Sequence, residues 1–102
     1  MTVTKTEENG KITLALDGWL DNLGAPEVGA MIDGITEACE IILDFDAVEY
    51  MSSAGVRQVV AAHRAAKALE AAFSVVNVSA EVMSIFEMTG LNTKLAISKK
   101  AE

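Results

Sequence analysis

Two adjacent hydroxyls, Ser52 and Ser53, precede Ala54 and Gly55 and follow a segment holding three carboxylates, Asp44, Asp46 and Glu49. The segment leads out of an apolar run, Ile41-Ile42-Leu43-Asp44-Phe45, and into an Ala-rich stretch. It therefore joins the carboxyl end of a strand to the N-terminus of a helix, the kind of junction at which open α/β sheets place their sites. A serine at such a point can cap the helix by accepting a bond from a backbone N–H. It can equally carry a phosphate, which the uncapped N–H groups and the positive end of the helix dipole would stabilise. The two roles are compatible, and either Ser52 or Ser53 is placed to cap.

Other chemistries lack their parts. Ser53 and the single histidine, His63, stand ten residues apart along the expected helix. That is about 15 Å at 1.5 Å of rise per residue, against the roughly 3 Å that a nucleophile and its base require. His63 also falls on the apolar stripe of the helix, which makes it a core or half-buried residue. Asp44 and Asp46 suggest the phosphoaspartate site of a receiver, but this chain opens with a hairpin where a receiver has a strand leading directly to a helix. No Lys follows the fourth strand either. No Gly-rich loop with Lys-Ser/Thr, no His-Glu-x-x-His and no second cysteine is present, so nucleotide hydrolysis and zinc chemistry are excluded and no cofactor is expected. Cys39 is the lone cysteine and is expected to be core.

The elements that must hold these residues follow from pattern. Glu8-Asn9-Gly10 separates two short runs, and Asn-Gly suits a type I′ hairpin turn. Ile12, Leu14 and Leu16 alternate with Lys11, Thr13 and Ala15 over a strand from Lys11 to Asp17. After a loop from Gly18 to Ala25, Pro26 suits a first helical turn, and Val28, Ile32, Ile35 and Cys39 predict a helix over Pro26–Cys39. Ile41–Phe45 reads as a central strand covered on both faces. A second helix is expected over Ala54–Glu70, a strand over Phe73–Val78, and a third helix capped by Ser79 and stopped at Gly90-Leu91. A last strand, Lys94–Ile97, precedes a polar tail, Ser98–Glu102. The order ββαβαβαβ predicts one α/β domain over residues 1–102, built on a mixed, mostly parallel sheet.

Composition narrows the partners. The 102 residues carry 15 Asp plus Glu against 8 Lys plus Arg, a net charge of −7. That sign opposes binding to nucleic acid or an anionic membrane surface. The N-terminal residues lack the pattern of a secretory signal, and no apolar run reaches the roughly 18 residues of a membrane span, so a soluble cytoplasmic protein is expected.

Taken in order, several pieces resemble the STAS domain family, and in particular bacterial anti-sigma factor antagonists. These are Leu16-x-Gly18-x-Leu20-Asp21, Ile42-Leu43-Asp44, Tyr50-Met51-Ser52-Ser53-Ala54-Gly55-Val56, Val75-Val76-Asn77-Val78-Ser79 and Gly90-Leu91. The resemblance covers almost the whole chain. It implies that Ser53, two residues before Gly55, is the phosphoacceptor. Ser52 is a rival acceptor standing where the family usually has Asp, and Ala54 stands where it often has a second Ser.

The resemblance further implies a non-enzymatic partner switch that regulates transcription indirectly. The unmodified protein would bind an anti-sigma factor that is itself a GHKL-type serine kinase, phosphorylation would end that binding, and a PP2C-type phosphatase would restore it. The surface meeting the partner is expected to comprise Trp19, Asp21, Asp46, Glu49, Met51, Ser52, Ala54 and Gly55. Asp21, Asp44, Asp46 and Glu49 are expected to flank Ser53, so that an added phosphate acts by local repulsion. Trp19 is either an exposed interface anchor or a ring folded over the core edge. The alternative within the family is a docking subunit of an ABC-type transport or lipid-trafficking complex, or of a stress-sensing assembly, whose serine need not be phosphorylated.

Overall fold

The fold is known from a computed structural model, which describes residues 1–100. Its elements are β1 (Thr2–Glu8), β2 (Lys11–Leu20), α1 (Ala25–Asp33), β3 (Glu40–Met51), α2 (Ser53–Ala68), β4 (Ala72–Val78), α3 (Ala80–Thr89), a 3₁₀ turn (Leu91–Thr93) and β5 (Ala96–Lys99). The expected order ββαβαβαβ holds. Asn9 and Gly10 both take positive φ, 52° and 82°, as a type I′ turn between β1 and β2 demands.

The five strands lie in chain order, β1-β2-β3-β4-β5, with β1 antiparallel to β2 and every other pair parallel. This order has a consequence for the layers. Each parallel connection steps the same way across the sheet, and right-handed crossovers then put all three helices on one face. That face carries Ile12, Leu14 and Leu16 of β2, Ile41, Leu43 and Phe45 of β3, and Val75 of β4, all buried in one core with Val28, Ile32, Val59, Ala62 and Phe86 of the helices. Phe45 and Phe86 meet with ring centroids 6.0 Å apart. The central strand is therefore not covered on both faces. Ile42 and Asp44 of β3, with Ser74 and Val76 of β4, are only half-buried on the opposite side, where no helix lies among the described residues.

Several boundaries depart from expectation. The first helix ends at Asp33, where the Gly34 amide donates to the Ala30 carbonyl and the Ile35 amide to that of Ile32. Ile35 and Ala38 are buried from an irregular segment that mimics helical spacing, whereas Cys39 is exposed and not core. Both β2 and β3 run further than their apolar runs, to Leu20 and Met51, because pairing with each other stabilises segments whose own composition reads as loop. Register shifts between Ala15 and Asp17 and between Gly18 and Trp19 absorb the irregularity. At the other end, Gly90 takes φ 76° and stops α3 as expected. The last strand starts two residues late and takes in Ser98 and Lys99 of the expected tail, while residues 101 and 102 lie outside the described residues.

Candidate functional site

The C-terminal ends of β2 and β3 pair side by side, Trp19 opposite Tyr50 and Leu20 opposite Met51. Just beyond them the Ser52 amide donates to the Leu20 carbonyl at 3.0 Å, and α2 begins at Ser53. The two serines divide the roles. Ser52 is the N-cap, with Oγ accepting a long bond (3.4 Å) from the Gly55 amide. Ser53 occupies the first helical position and is exposed, and its hydroxyl makes no hydrogen bond among the described residues.

Gly55 brings the start of α2 against β2. A Cβ there would collide with the Leu20 carbonyl oxygen and come within 2.7 Å of Met51 Cγ. Gly24 acts similarly in the neighbouring loop, where a Cβ would collide with the Trp19 carbonyl oxygen. The same loop is held by Asp21, whose Oδ1 accepts from the amides of Leu23 (3.0 Å) and Gly24 (2.9 Å). Those bonds, the one from Gly24 foremost, hold its carboxyl below the ordinary 3.8. Asp21 is thus committed to shaping the turn that leads into α1.

Trp19 is 56% exposed and Tyr50 47% exposed, and their rings lean together with centroids 5.3 Å apart at 55°. Trp19 is therefore an exposed ring beside the serine turn, not a lid on the core. Leu23, also exposed, lies in the neighbouring loop beside Gly24. Tyr50 was not legible as part of the surface, because its place depends on β3 continuing past Phe45 to run opposite Trp19.

The expected surface needs correction at three of its members. Met51 and Gly55 are buried, so they support the turn from beneath and offer no side chain to a partner. Asp46 lies well back along β3, where Lys100 Nζ reaches both its carbonyl oxygen (2.6 Å) and its carboxylate (3.4 Å). Asp44 lies further back, accepting from the Asp46 amide and from Asn77 Nδ2, each at 3.0 Å. Seven steps of strand from Asp44 to Met51 span roughly 23 Å at about 3.3 Å per residue. The expectation that four acids flank Ser53 therefore fails for Asp44 and Asp46, since extended backbone carries them away. Glu49 and Asp21 stay on this side of the molecule. His63 stands apart from Ser53 as its spacing requires, with Nδ1 buried without a hydrogen-bond partner and the ring edge-on to Phe73 at 5.5 Å.

The family profile of STAS domains matches residues 2–102, and the chain belongs to that family. No curated protein sequence matches it. Among solved structures, the fold is similar to a Thermotoga maritima protein described as a candidate anti-sigma factor antagonist, with TM-score 0.86, 16% identity, and coverage of 95% of this chain and 86% of that one. It is similar to the phosphorylated form of the Bacillus cell fate determinant SpoIIAA, with TM-score 0.75, 20% identity and coverage of 97% and 93%. It is also similar to a sulfate transporter family protein from Wolinella succinogenes, with TM-score 0.81, 15% identity and coverage of 92% and 80%. At these identities the likeness is one of fold. Among the described residues, no helix is long and apolar enough to cross a membrane.

Proposed function

We propose that this STAS domain is an anti-sigma factor antagonist, a binding module without catalysis of its own whose contact surface is switched by phosphorylation of Ser53. The observation that carries the reading is the placement of Ser53. It is an exposed hydroxyl on the first turn of α2, next to an exposed Trp19–Tyr50 pair and free of the capping duty that Ser52 performs. The unmodified surface meets an anti-sigma factor that is a GHKL-type serine kinase, and a PP2C-type phosphatase resets the switch. Both encounters take place in the cytoplasm. Trp19, Tyr50 and Leu23 supply the desolvated anchor, and Glu49, Ala54 and Ser52 border it. A phosphate bearing about −1.5 to −2 charges on this border would disrupt a packed, partly apolar contact. The test is partner capture with the unmodified protein, with Ser53→Ala and with Ser53→Asp. Ser53→Ala is expected to hold the kinase and resist phosphorylation, and Ser53→Asp to bind it weakly; equal binding by all three contradicts the switch.

A second reading keeps the surface and drops the modification. The domain would then dock within an ABC-type transport or lipid-trafficking complex, or within a stress-sensing assembly. The likeness to a sulfate transporter family protein supports it, as does Ser52 standing where the family usually has Asp. Recovery of a transporter ATPase in place of a small kinase would favour this reading.

A further inference from the structure

Helix α2 departs from the charge of the rest of the chain. The protein carries a net charge of −7, yet the 16 residues of α2 hold Arg57, Arg64 and Lys67 and no acid at all. Among the described residues the only ion pair is Lys100 with Asp46, so the guanidinium of Arg57 has no carboxylate partner. Arg57 is exposed and lies four residues after the exposed Ser53. Positions four apart are neighbours on one face of a helix, separated by about 6 Å of rise, within reach of an Arg side chain.

Around Ser53, Glu49 stays on this side of the molecule and would repel a phosphate, so a favourable partner must come from the first-turn amides of α2 or from Arg57. Asp44 and Asp46 lie a strand's length away, well beyond the roughly 8 Å over which exposed charges act at physiological salt. The Asp21 carboxylate is turned to the Leu23 and Gly24 amides. Acids are absent from the first turn of α2 itself.

We propose that Arg57 is the counter-ion of a phosphate on Ser53, pairing with it across one turn of α2. The proposal rests on the reading of Ser53 as the modified residue. It changes where the modification acts: the phosphate takes Arg57 out of the row of unpaired cations on the outward face of α2. The switch is then a rearrangement of charge along this helix beside the Trp19–Tyr50 patch, in place of general repulsion among acids. Guanidinium suits the task because its planar donors can engage two phosphate oxygens together.

The experiment uses the full chain with phosphoserine installed at position 53 during translation, so it needs no kinase. The ionisation of the phosphate is followed by 31P NMR against pH in the native sequence, in Arg57→Gln and in Arg57→Lys. Pairing is expected to set the midpoint a few tenths of a unit lower in the native sequence than in Arg57→Gln, with Arg57→Lys between them. The gap is expected to close at about 1 M salt, where the screening length falls to about 3 Å. Equal midpoints in the native sequence and Arg57→Gln overturn the proposal while leaving Ser53 standing as a kinase substrate. An unmodified Ser53 in cells would overturn the function and leave the pairing measurement intact. Far-ultraviolet circular dichroism of each variant confirms that α2 is retained.

Discussion

Two helices start at the same edge of the sheet in nearly the same way, and they differ in what they can do. Both α2 and α3 follow a parallel strand, and both are capped by a serine accepting from the amide three residues on, Ser52 from Gly55 at 3.4 Å and Ser79 from Val82 at 3.3 Å. Local physics makes both serines caps. The difference begins one residue later. The first position of α2 is Ser53, an exposed hydroxyl with no acid in its turn, whereas α3 starts with Ala80 and places Glu81 in its first turn. The positive end of α3 is already answered by a carboxylate, and that of α2 is open to a further negative group. At the third position α3 buries Val82, while α2 has Gly55 because the Leu20 carbonyl leaves no room for a Cβ. A capping serine therefore does not mark a switch. Under the proposed function the marks are a second, idle hydroxyl, an unanswered helix end and a close contact tying that end to the strand that carries Trp19.

Substitution at the third position should separate the two starts most strongly. Gly55→Ala forces β2 and α2 apart and is expected to destabilise the protein by about 3 kcal/mol, read from chemical denaturation. A loss below about 1 kcal/mol would mean that α2 is not pressed against β2 as the geometry requires. Next in size is the aromatic pair, present only beside α2. Trp19→Ala is expected to weaken partner binding by roughly 30-fold, about 2 kcal/mol, while shifting stability by no more than about 0.5 kcal/mol. A large loss of stability would instead assign Trp19 to the core.

The caps themselves should behave alike. Ser79→Ala and Ser52→Ala are each expected to cost about 1 kcal/mol, and a much smaller loss at Ser52 would show that its long bond contributes little. The smallest effect concerns Asp21. Its carboxyl sits below the ordinary value in the folded protein, so its contribution is present above about pH 4 and is lost as pH falls through the lowered folded value. Asp21→Asn should therefore flatten the acid limb of the stability profile below about pH 4 and leave the neutral region nearly unchanged. No change in that limb would show that the turn does not depend on the charged carboxylate.

Much of this was legible from residue types. Asn9-Gly10 announced the hairpin, Ser79 and Gly90 bounded α3, and the Ser52-Ser53 turn fell at the start of α2. What escaped depended on partners distant in sequence. Residues 46–51 have no apolar run of their own and are strand only because β2 pairs with them, and that pairing both carried Asp46 away from Ser53 and brought Tyr50 opposite Trp19. Gly34 ended α1 where the apolar spacing of Ile35 and Cys39 suggested continuation. Nor does the short apolar run Ile41–Phe45 distinguish a strand covered on one face from one covered on both. The chain-order sheet does, since it sends every crossover to the same side.

The most direct test of the contrast between the two helix starts is site-resolved mass spectrometry of the protein isolated from its own cells. A phosphate on Ser53, absent from Ser52 and Ser79 and lost in Ser53→Ala, is the predicted result. Phosphate on Ser52 or Ser79, or none on any of the three, would contradict the account of Ser53 as the switch.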